Sequence, residues 1–135
     1  MPHLVLLYTP DIDRDADMAQ LCRELADTMI AQRDESGRQV FPTGGTRVLA
    51  YPAAHCAVAD GQGNYGFVYA NLRIGAGRSA QVHKAVGDAL LATLRARLDA
   101  VLARRPVGVT LQIDESPGQV FDAKHSSLHP LFVKT

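Results

Sequence analysis

The chain has 135 residues, of which 47% are hydrophobic and 21% charged, a composition that builds a folded core and excludes a disordered chain. Fourteen Lys and Arg balance fourteen Asp and Glu, so the basic footprint of a nucleic-acid binder is missing and no nucleic-acid partner is expected. The apolar opening from Leu4 to Tyr8 is too short for a signal-peptide core or a membrane span, which gives an expectation of a cytoplasmic protein without a membrane partner.

In chain order, HLVLLYT at 3–9 predicts a short buried strand. Met1-Pro2 stands directly before it, although proline has no amide hydrogen to donate to a sheet. An aspartate-rich loop follows, in which Asp15 or a neighbour is expected to cap a helix. Met18, Leu21, Cys22, Leu25 and Met29 then recur at three- and four-residue steps, predicting an amphipathic helix of about five turns.

After the turn at Gly44-Gly45, TRVLAY and AHCAVA read as one strand interrupted at Pro52, and a proline there favours an edge position. DGQGN is a turn, YGFVYANLRI a strand, and GAGRS leads into a long helix from about Ser79 to Ala103. The stripe of that helix is Val82, Val86, Leu90, Leu94 and Leu98, with Val101 and Leu102 at its end. VGVTLQI is a last core strand, and residues 115–135 are loop-like.

The pattern is strand–helix–strand twice, with units at approximately 2–58 and 64–114 in one domain spanning 1–135. Each unit implies parallel pairing through a right-handed crossover. The economical fold is α+β, two fused βαβ units forming a four-stranded mixed sheet with two helices on one face. The first strand is apolar on both sides, so its uncovered face needs a cover, and a second copy of the chain is the expected one.

Cys22 and Cys56 have no metal-like spacing and read as reduced thiols. His55 beside Cys56 faces the opposite side of a strand, and His83 is expected on the surface of the second helix. GAGRS lacks the lysine of a phosphate-binding loop, and no metal cluster or nucleotide motif stands out, so no cofactor is expected.

Three stretches remain: MP at the start, FPTGGTR, and LRIGAGRS. With ADGQGNYGFV and KHSSLHPLF they give the chain an almost end-to-end resemblance to the 5-carboxymethyl-2-hydroxymuconate isomerases of the tautomerase superfamily. The resemblance implies a tautomerase-like fold assembled as a homotrimer, with the first strands of the two units central and antiparallel. It also implies a cofactor-independent isomerase acting on 5-carboxymethyl-2-hydroxymuconate or a similar unsaturated hydroxy or oxo polycarboxylate in aromatic-compound catabolism.

Removal of Met1 would leave Pro2 as a secondary amine, the general base of such an enzyme. Arg78 would bind a substrate carboxylate, and Arg47 a second carboxylate or the charge of a dienolate. Lys124, His125 and His129 would lie at subunit contacts or a pocket edge. His3, one residue past Pro2, should point to the opposite face and reads as structural. The segment IAQRDESGRQVFP looks longer than the family's connector, and YPAAHCAV differs from its strand. Two alternatives stay open: another enol or unsaturated acid as substrate, and a non-catalytic oligomeric binding protein on the same scaffold.

Overall fold

The computed structural model describes residues 2–133. Four strands, β1 (His3–Tyr8), β2 (Arg47–Pro52), β3 (Gly66–Gly75) and β4 (Val107–Ser116), form one sheet in the order β2-β1-β3-β4. β1 pairs parallel with β2, β3 parallel with β4, and the central β1–β3 pair is antiparallel. A single turn α1 (Ile12–Asp15) precedes α2 (Met18–Ile30), and α3 (Ala80–Arg104) bridges β3 and β4. The fold is α+β, with two long helices on one face of a mixed sheet.

Strand alternation decides which face the helices cover. Leu4, Leu6 and Tyr8 of β1 are buried, as are Val68, Ala70, Leu72 and Ile74 of β3. The buried helix stripes, Leu21, Leu25 and Met29 on α2 and Val82 to Val101 on α3, pack on them. Five of the α3 positions fall four residues apart, so the stripe drifts around a helix of 3.6 residues per turn and meets both the sheet and α2. Burying each large aliphatic side chain here contributes about 1.5–3 kcal/mol. Leu102, expected at the end of the stripe, is exposed because Val101 already completes it.

Several expectations change. The first helix is not one run of five turns. Ala16 is extended, and the Asp17 carboxylate, rather than that of Asp15, accepts from the Gln20 N–H at 3.0 Å and starts a new helix of 13 residues. Asp15 instead binds Arg105. AHCAVA is not strand: β2 stops at Pro52, opposite the last residue of β1, and beyond it only the Ala53 N–H reaches β1, donating to the Tyr8 carbonyl. β4 runs three residues past VGVTLQI because Arg73, Ile74 and Gly75 offer partners to Asp114, Glu115 and Ser116. The tail contains a 3-10 turn at His129–Phe132 that packs on a second one at Thr43–Gly45. Among the described residues no helix is long and apolar enough to cross a membrane.

The sheet's other face is bare. Leu7, Leu49 and Tyr51 lie on it, 44%, 39% and 50% exposed, far more open than apolar strand residues covered by a layer.

Candidate functional site

Pro2 is buried immediately before β1. It shares the strand parity of Leu4 and so belongs to the helix side, whereas His3 is exposed on the open side. His3 is the register partner of Arg47, the first residue of β2, and of Arg73, near the end of β3. The entry of β1, the start of β2 and the exit of β3 therefore meet at one end of the sheet. Two residues beyond Arg73, β3 closes at Gly75 and gives way to the turn that carries Arg78. The three expected residues, Pro2, Arg47 and Arg78, lie toward that end, Pro2 on the helix side of the sheet and Arg47 on the open side.

The turn is shaped for close approach. Gly77 has a φ of +114°, a conformation that L side chains rarely adopt. Ser79 caps α3, accepting from the Val82 N–H at 3.1 Å, and its own hydroxyl donates to the Glu35 carboxylate. Arg78 is half-buried between two loops: Nη1 donates to the Gly75 carbonyl and Nη2 to the Val40 carbonyl, both at 3.0 Å. Its guanidinium sits over the Phe41 ring at 5.2 Å from the centroid. Two of its five N–H groups are used by these carbonyls, leaving three for an anion.

Arg47 is held differently. Its Nη1 donates to the Gly44 carbonyl at 3.1 Å. Together with Cys22, Ile30, Leu49, Leu128 and Phe132 it lines a groove of about 630 Å³ between α2, the free edge of β2 and the tail turn. The groove wall includes Arg47 but neither Pro2 nor Arg78.

The arginines act on their neighbours. Partial burial of the His3 ring, and then the Arg47 and Arg73 cations on either side, push its pKa below the ordinary histidine value. Burial raises the pKa of the Cys22 thiol, which keeps it protonated in the groove wall.

The remaining histidines lie away from Pro2, and among the described residues the tail reaches the groove only through the 129–132 turn and Leu128. His55 and Cys56 are exposed. His83 is half-buried, not on the helix surface, with Nε2 at 3.3 Å from Glu115. Lys124 pairs with Asp122 at 2.8 Å in the open, His125 is exposed, and His129 leans on Ser126. Arg73 is not among the residues the sequence points to: strand parity in YGFVYANLRI sets it on the face opposite Leu72, but only the register brings it beside His3.

Comparison with known proteins bears on this arrangement. The family model of 5-carboxymethyl-2-hydroxymuconate isomerase matches residues 2–132. A 5-carboxymethyl-2-hydroxymuconate Delta-isomerase from Escherichia coli is 27% identical over 132 residues, covering 98% of this chain and 99% of that protein. The crystal structure of a 5-carboxymethyl-2-hydroxymuconate delta-isomerase superposes with a TM-score of 0.94 at 53% identity, covering 100% of this chain and 95% of the other. A 5-carboxymethyl-2-hydroxymuconate isomerase from Deinococcus radiodurans R1 gives 0.85 at 33% identity, with 98% and 95% covered. The fold extends to a more distant protein, a fused 4-OT solved as a symmetric trimer, at 19% identity, a TM-score of 0.52, and coverage of 96% and 97%.

Proposed function

This chain belongs to the 5-carboxymethyl-2-hydroxymuconate isomerase family and is an isomerase, and on that premise we propose that it ketonises 5-carboxymethyl-2-hydroxymuconate or a close polycarboxylate analogue with Pro2 as the general base. With Met1 removed, the Pro2 amine takes the proton of the enol hydroxyl and returns it at the far end of the conjugated diene. The product is a 2-oxo-3-ene isomer, so atoms and charge balance without a cofactor. Between the two transfers the substrate is a dienolate. Arg47 and Arg78 hold its carboxylates and lower the cost of its charge. A base working near pH 7 needs its amine neutral, and burial and nearby cations are the two influences that disfavour the protonated form.

The observation that carries this reading is the convergence of a buried Pro2 with Arg47 and Arg78 at one end of the sheet. The active assembly in this reading is a homotrimer in which neighbours cover the open sheet face. The exposure of Leu7, Leu49 and Tyr51 supports a covering partner, and the trimeric fused 4-OT, which shares the fold, supports that number of copies.

The test is an ultraviolet assay of muconate isomerisation on protein whose intact mass shows loss of Met1, beside Pro2→Ala. Turnover that collapses in Pro2→Ala, by about 10²-fold or more for a lost general base, supports the mechanism. Full activity with Met1 retained overturns it, because an acylated proline nitrogen has no basic lone pair.

A further inference from the structure

We propose that His3 and Arg73 extend Arg47 into a row across the open sheet face, two arginine cations flanking an imidazole, and that this row binds an outlying carboxylate of the substrate and so selects polycarboxylates over monocarboxylates. The inference rests on the isomerase reading above and assigns two residues that it leaves unused.

Register sets the three side by side. His3 pairs with Arg47 on β2 and with Arg73 on β3, so one row crosses three strands with every side chain on the same face. Two arginines held on one face with only an imidazole between them repel one another, and a row of this kind calls for a counter-anion. The chain supplies none: among the described residues no carboxylate lies within ion-pairing distance of any of the three. Asp114 is the register partner of Arg73, but its carboxylate accepts from the Asn71 amide at 2.7 Å instead. Burial first, and then the Arg47 charge beside it, lower the affinity of His3 for its proton.

The open face is also divided. Of its exposed apolar side chains, Leu7 and Tyr51 lie toward the far ends of β1 and β2, where a second copy would bury them, and Leu49 lies between them and Arg47. The cationic row lies at the end where Pro2 enters, next to the Arg78 turn. An anion bound by the row would lie at the same end of the sheet as Pro2 but on the opposite face by strand parity, a place for an outlying group of the substrate rather than its reacting carbons.

Two measurements test this. In the first, kcat and KM of wild type, Arg73→Gln and Arg73→Lys are compared on 5-carboxymethyl-2-hydroxymuconate and on a monocarboxylate enol, phenylenolpyruvate. Arg73→Gln is expected to raise KM for the tricarboxylate about ten-fold or more, as for loss of a charged hydrogen bond, to change kcat far less, and to shrink the preference over the monocarboxylate. Arg73→Lys should recover part of the loss. An unchanged preference in Arg73→Gln overturns the proposal, as does an unchanged KM accompanied by dissociation of the oligomer, which would make the row an ion-pair contact between copies.

The second measurement needs no turnover: the His3 ring is titrated by NMR with and without propane-1,2,3-tricarboxylate, and with acetate. A rise in the His3 pKa with the tricarboxylate that is lost in Arg73→Gln supports the row even if the isomerase assay fails. No response in a protein that does isomerise the muconate overturns the row and leaves the isomerase reading standing.

Discussion

The Arg78 guanidinium reaches from the β3–α3 turn to the Val40 carbonyl, donating from Nη2 at 3.0 Å, and so ties the turn before α3 to the connector that follows α2. Arg78 is therefore both an anchor between loops and a candidate anion-holder, and its substitution should register in both properties. Arg78→Lys keeps the charge but not the fork, leaving the Val40 and Gly75 carbonyls without their donors. We expect a stability loss of about 1–3 kcal/mol in urea unfolding and a fall in kcat/KM of about 10²-fold or more on the muconate substrate. Stability lost with kcat/KM intact would leave Arg78 an anchor alone.

Much of this was legible in the sequence because periodicity reports burial. The four-residue steps of α3 give the helix face directly, whereas β1, apolar on both sides, shows only that both of its faces call for a cover. The paired glycines and GAGRS mark the turns that carry Arg47 and Arg78. The break between α1 and α2 was hidden because Asp15 and Asp17 both suit a cap, and only the Arg105 ion pair takes Asp15 away. AHCAVA has strand-like composition, but β1 offers no partner past Tyr8, and pairing is a property of the neighbour rather than of the segment. Arg73 was hidden for a related reason, since its significance lies in the cross-strand register with His3.

Tyr8 gives a pH dependence of defined sign. Its burial, and then the hydrogen bond from its hydroxyl to Asp13 at 2.7 Å, push its pKa up to about 12 from an ordinary value of 10.0. The unfolded chain ionises first, so the contribution is complete below about pH 10 and disappears as pH rises through about 12. Urea midpoints measured at pH 8 and pH 11 should fall more steeply for wild type than for Tyr8→Phe. Parallel curves would mean that Tyr8 does not set the alkaline limit.

Thr28 and Thr93 meet between α2 and α3 with their hydroxyl oxygens 2.7 Å apart. Each also has a carbonyl four residues back within reach, Glu24 at 2.9 Å and Ala89 at 3.1 Å. Two hydroxyl hydrogens cannot satisfy three such contacts. Thr28→Val alone removes a partner from Thr93 and should cost about 1 kcal/mol, whereas Thr28→Val with Thr93→Val should restore most of it, because removing both members leaves nothing unpaired. Equal and additive losses in a double-mutant cycle would contradict a shared contact.

Gly44 lies where the tail turn docks. A Cβ there would come within 3.2 Å of the His129 Cα and 3.3 Å of the Phe132 ring. The backbone atom cannot step aside as a side chain can, so Gly44→Ala should lift the 129–132 turn and open the groove that Arg47 lines. The expected signs are faster amide exchange over 126–133 and a higher KM with little change in global stability. Unchanged exchange in the tail would show that the turn absorbs the methyl in place.

Leu7 tests the bare face of the sheet. It is 44% exposed on a central strand, a position where a leucine in a covered layer would be almost fully buried. A charge there costs little in an isolated chain, because the side chain already meets water. It costs much more once another copy desolvates it. Leu7→Glu should therefore leave urea unfolding of the monomer nearly unchanged, within about 0.5 kcal/mol, while light scattering shows loss of the oligomer. An assembly that survives Leu7→Glu at its wild-type size would mean that another surface joins the subunits.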